Sequence, residues 1–176
     1  MPKKYRKMLT DWDAPYIQSI VAIVETQSKQ TLANWCIDYA HEKLLPIYEA
    51  EYPGDFRTHN AIDAAREWLA GNIKLPQAKK IILECHAAAR EADGTPAAQA
   101  AARAIGQCSS TIHSAGHCVG LPLYGSLAVA YGLAGSEAGW DLLEQFAIEE
   151  CGRMEAALRT VAVENEPNPA KLTWKC

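Results

Sequence analysis

His113 and His117 stand four residues apart in a stretch that runs from Arg103 to Glu137 with no Asp, Glu, Lys or Arg between them. If this stretch opens as a helix, Arg103, Gly106, Ser110, His113 and His117 fall at three-four spacing and share one face. A second seam, Ile105, Cys108, Ile112, Ala115 and Val119, is apolar and faces a core. Counting outward from the turn at Asp93-Gly94-Thr95 sets the preceding helix antiparallel. That arithmetic puts His86 level with Arg103 and Lys79 level with Ser110, with Arg90 on the face of His86 and Leu83. The candidate site is therefore His86, Arg90, Arg103, Ser110, His113 and His117.

Three kinds of chemistry fit these residues. Neutral imidazoles hydrogen-bonded to Ser110, Thr111, Ser114 or a carbonyl would simply satisfy a buried polar seam. Arginines and imidazoles together would suit a carboxylate or phosphate. Histidines at i and i+4 reach one metal ion in H-E-x-x-H, but here His113-Ser114-Ala115-Gly116-His117 lacks the glutamate, and His86 or Glu84 would have to be the third ligand. No cofactor is called for, and no catalytic set is recognisable. There is no G-x-S-x-G, no G-x-G-x-x-G and no phosphate-binding glycine loop, and Cys118 next to His117 points away from it on a helix.

The elements that carry these residues are all helical in pattern, and we expect a single-domain bundle of about six to seven helices with a buried central helical hairpin. Asp13-Ala14-Pro15 reads as a cap and a first-turn proline, opening a helix to Val24. A second helix spans Ser28 to Ala50, kinked or broken at Pro46. Tyr52-Pro53-Gly54-Asp55 turns the chain and offers Asp55 as a cap. A third helix ends at Gly71 and a fourth starts at Pro76. A fifth runs from Pro96 to about Val119, a sixth from Leu123 to Leu133, and a seventh from Ser136 to about Val163. Residues 1–12 form a basic tail, 13–163 the domain and 164–176 an extended, mobile tail. Leu9-Thr10-Asp11-Trp12-Asp13 is too polar to follow a basic start as a signal peptide.

Composition bounds what the domain can do. The 176 residues are 49% apolar and 22% charged, as in an ordinary globular domain, and the net charge of −4 offers no general attraction for nucleic acid. Lys3, Lys4, Arg6 and Lys7 face no acid among the first ten residues. Glu137 to Glu166 carries eight acids against Arg153 and Arg159, so it is either a solvated helix face or a surface for a basic partner. The 33 residues without charge are long enough for a membrane span, yet their hydroxyls, imidazoles and glycines suit a buried hairpin better. None of the six cysteines forms a C-x-x-C pair, and most lie on apolar stripes, so we expect reduced thiols and a cytoplasmic protein.

From about residue 32 to residue 131 the chain resembles the immunity proteins found beside bacterial polymorphic toxins. The likeness rests on Leu32-Ala33-Asn34-Trp35, Leu44-Leu45-Pro46-Ile47-Tyr48-Glu49 and Ala61-Ile62-Asp63-Ala64-Ala65-Arg66-Glu67-Trp68. It continues through His86-Ala87-Ala88-Ala89-Arg90-Glu91, Ala101-Ala102-Arg103-Ala104-Ile105-Gly106, Thr111-Ile112-His113, His117, Gly120 and Tyr124. The resemblance implies a small all-helical protein that binds and neutralises a cognate toxin without catalysis. Sequences of this kind also carry an exonuclease-related label, but the clustered carboxylates of metal-dependent phosphodiester cleavage are missing here. The acidic C-terminal helix lies outside the likeness.

Overall fold

The computed structural model describes residues 4–173, so Lys3 and Cys176 lie outside it. The helices are α1 (Pro15–Val24), α2 (Lys29–Tyr39), α3 (Leu45–Glu51), α4 (Arg57–Leu69), α5 (Leu75–Glu91), α6 (Pro96–Ser110), α7 (Ser126–Ala134) and α8 (Trp140–Val161). No strand is formed among the described residues; one isolated bridge joins Ser28 and Pro169. The fold is all-α, as the patterning implied.

Local chemistry explains most boundaries. Pro15 begins α1, but Ala14 rather than Asp13 occupies the cap position, and no side chain caps it. Ser28 caps α2 by accepting from the backbone N–H of Thr31 at 3.3 Å. The kink expected at Pro46 takes the form of a π turn over Ala40–Leu44, just before α3. Proline has no N–H and its ring crowds the carbonyl four residues back, so a wider turn ahead of it relieves both problems without ending the helical run. Phe56 sits at the cap of α4, while the Asp55 carboxylate accepts from the Arg57 backbone at 3.1 Å and pairs with its guanidinium at 2.7 Å. Gly71 and Gly94 take positive φ, 79° and 100°, at the turns that end α4 and separate α5 from α6.

Helix α6 is the centre of the bundle. Eleven of its fifteen residues are buried, and it packs against α2, α3, α4, α5 and α7. Its alanines let so many neighbours approach closely. The uncharged stretch is buried as expected: of its most apolar part, Ala115–Ala134, 67% of the spanning window lies inside the protein. That part is long and apolar enough to cross a membrane, but it is built from a 3₁₀ turn (Ala115–Val119), a π turn (Leu121–Gly125) and α7.

One expected helix is shorter than its pattern. The fifth helix was to reach Val119, yet α6 stops at Ser110 and the chain turns through Thr111–Ser114, with Ser114 extended at φ −148°. The Thr111 hydroxyl donates to the Gln107 carbonyl at 3.3 Å, a local bond that competes with the helical ladder, and serines at 109, 110 and 114 add low helix propensity. The apolar spacing nonetheless persists, because Ile112, Cys118 and Val119 are buried from the turn instead.

Both terminal segments are docked on the bundle. At the N-terminal side, Leu9 is buried and its N–H donates to the Leu123 carbonyl at 2.9 Å. The Tyr131 hydroxyl donates to the Arg6 carbonyl at 2.8 Å, and the Arg6 guanidinium lies 3.6 Å from the centre of the Trp140 ring. The C-terminal segment is extended but clasped. Gln27 accepts from Val163 N–H at 2.8 Å and its carbonyl accepts from Ala170 N–H at 2.7 Å. The Glu166 carboxylate accepts from Ser28 N–H at 2.7 Å and from the Ser28 hydroxyl at 2.9 Å, adding a distant anion to the N-terminus of α2.

Candidate functional site

The α5–α6 hairpin brings His86 flat against Gly106. A Cβ at residue 106 would stand 2.7 Å from His86 Cε1, so only glycine admits the ring at this depth. His86 Nε2 lies 3.4 Å from the Ser110 hydroxyl, a long contact at the last turn of α6. The returning 3₁₀ turn then carries His117 back, its Nδ1 2.7 Å from Gln107 Oε1, which sets Nδ1 as the protonated nitrogen of a neutral ring. Gly120 makes this return possible, because a Cβ there would meet Gln107 Cβ at 2.4 Å.

His113 stands in the intervening turn. Its ring centre is 5.2 Å from that of His117, with the planes at 63°. The two rings meet through the fold of the turn, since residues 113 and 117 do not share a helix. His113 Nδ1 is buried and has no hydrogen-bond partner among the described residues, whereas His86 and His117 each have one.

All three imidazoles are held toward the neutral form. Burial depresses His113 to about 4, helped by His117, Lys79, Lys29 and His86. Burial also lowers His86, with His117 and Arg90 adding to it, and lowers His117. Among the described residues, no carboxylate acts on any of the three. A neutral cluster is a poor anion clamp at neutral pH. Among the described residues, no three His, Cys, Asp or Glu side chains meet in a metal-ligating group. Cys118 is buried, and burial lifts its thiol well above the ordinary range, which leaves no thiolate for nucleophilic chemistry.

The six predicted residues thus separate. His86, Ser110, His113 and His117 come together, with Gln107 joining them. Arg90 is exposed and touches the cluster through its field on His86. Arg103 lines a different cavity, with Lys4, Arg6, Lys7 and Asp93. The predicted level of Lys79 near Ser110 agrees with its effect on His113. Gln107 lies on neither predicted seam, and nothing short of the break at Ser110 would have paired it with His117.

Acids of the C-terminal half also acquire roles that composition does not disclose. Glu150 is only 3% exposed and accepts from the Tyr39 hydroxyl and from Arg153 at 2.8 Å. Glu155 pairs with Arg159 at 2.7 Å. In the first half of α8, Asp141, Leu142, Gln145, Ile148 and Glu149 are exposed at three-four spacing, a face that mixes acid and aliphatic residues, while Arg153 and Arg159 are exposed farther along.

A family model described as "Imm-5 like putative immunity protein" matches residues 22–157. The chain belongs to this family. The match is wider than the resemblance legible by eye, which closed at residue 131, and it takes in most of the acidic helix α8. The imidazole cluster lies within the family's span; the docked N-terminal segment and the C-terminal clasp lie outside it. No curated protein and no solved structure matches the chain.

Proposed function

We propose that this protein is an immunity protein that binds a cognate bacterial toxin and blocks it stoichiometrically. Membership of the Imm-5 like family carries the reading. The outward face of α8 supports it. Leu142 and Ile148 are 44% and 40% exposed between Asp141 and Glu149, and Leu133, 61% exposed, lies in the last turn of the neighbouring α7. Aliphatic anchors ringed by charge are the anatomy of a protein interface, and acids would speed encounter with a basic toxin surface. The proposed place of action is the cytoplasm, and the five free buried thiols among the described residues suit a reducing compartment.

Co-expression tests the reading. The toxin domain encoded beside this gene should arrest growth alone, and this chain should restore growth and co-elute with that domain as a 1:1 complex. Leu142→Glu combined with Ile148→Glu should weaken the complex at least tenfold while leaving the circular dichroism spectrum unchanged. Growth arrest that persists in the presence of the folded chain, with no complex on the column, refutes the proposal.

A further inference from the structure

The docked N-terminal segment creates a cavity that the bundle alone does not have. About 420 Å³ in volume, it lies between residues 4–7, the α5–α6 turn and one flank of α6. Lys4, Arg6, Lys7 and Arg103 line it, against a single acid, Asp93. In a chain whose net charge is −4, this concavity carries three net positive charges. We propose that it binds a small polyanion of the phosphate class, pyrophosphate-like in charge.

Arg103 is the decisive residue. It is half-buried on the most buried helix of the bundle and pairs with no carboxylate among the described residues. Lys4, Lys7 and Asp93 make no ion pair there either, while Arg6 is held over Trp140 by its guanidinium face, which leaves its N–H edges for a ligand. Cations gathered around one concavity repel each other, and Asp93 is the one acid among the described residues that line it, with Glu137 held by the Tyr5 hydroxyl beside it. A multiply charged anion relieves that repulsion, and two guanidinium groups favour oxygen-rich tetrahedral groups over a lone carboxylate. The cavity is also preformed. The bonds from Leu9 to Leu123 and from Tyr131 to Arg6 fix the backbone, so binding does not have to order a loose tail. Its volume lies within the roughly 300–1,000 Å³ typical of small-molecule sites. None of the described residues that line the cavity belongs to α8, so the proposal does not rest on toxin binding.

Calorimetry and thermal melting of the full chain test this, with inorganic pyrophosphate, with citrate as the carboxylate polyanion, and with sodium chloride holding ionic strength constant. The expected result is saturable binding of pyrophosphate at one site per chain, with a rise in Tm. Arg103→Gln and Lys7→Gln should each weaken it at least tenfold. Lys7 is exposed, so its variant keeps the test valid even if the Arg103 variant folds poorly. Absence of saturable binding at millimolar pyrophosphate overturns the proposal. So does equal binding by wild type and by the Lys7 variant, and equally tight binding of citrate overturns the phosphate assignment.

Discussion

Lowering the pH from about 7 to about 4.5 should destabilise the fold through His113. Its imidazole titrates near 6.5 in an unfolded chain and near 4 in the folded one, chiefly because it is buried. Across that window the unfolded chain takes up a proton that the folded chain refuses. Stability therefore rises with pH between about 4 and 6.5 and is lost as pH falls. The ring is half-buried, so solvent screening reduces the linkage, and we assign it about 1–2 kcal/mol. For a domain of this size that is about 2–8 °C in Tm. The measurement is thermal unfolding by far-ultraviolet circular dichroism at closely spaced pH values, on wild type and His113→Gln. The carboxylates held low by their partners, Asp55 and Glu166 among them, lose stability at still lower pH and do so in both proteins. The difference between the two curves isolates the imidazole. Wild type should lose more Tm than the variant between about pH 6.5 and pH 4.5. Parallel curves, or a wild-type Tm that rises on acidification, would refute the argument.

His117→Ala should cost about 1–3 kcal/mol by removing the bond to Gln107, while His113→Ala, which breaks no such bond at Nδ1, should cost less; both losses should be indifferent to chelators and added zinc in chemical denaturation. Glu166→Ala should lower stability by about 1–2 kcal/mol and speed amide exchange at the start of α2, since it withdraws an anion that accepts from Ser28 and Thr31; unchanged exchange there would remove the clasp from the account. Cys85 and Cys108 should react with a thiol reagent only on the timescale of unfolding, because both are fully buried and Cys85 is pushed up to about 12; fast labelling of either in the native protein would contradict the packing of α6.

The amino-acid sequence by itself determined the helical class, the hairpin of α5 and α6, and the burial of the uncharged stretch. These depend on periodicity and turn residues acting over a few positions: Pro96 at the start of a helix, Gly94 in a turn, alanines at close-packing intervals. Counting set His86 level with Arg103, and the structure seats it against Gly106, within one turn of that level, because antiparallel helices joined by a short turn keep register. Only the tertiary structure decided where α6 ends, and with it the meeting of His113 and His117 across a turn and of His117 with Gln107. Only it sent Arg103 toward Lys7, since that cavity exists once Leu9 has docked beside Leu123. Glu166 reaches Ser28 across 138 residues, and Glu150 reaches Tyr39 across 111. The physical reason is the same in each case. Helix propensity is local and can be summed along the chain, whereas the partner of a buried charge or ring is chosen by whichever distant segment fills the space beside it.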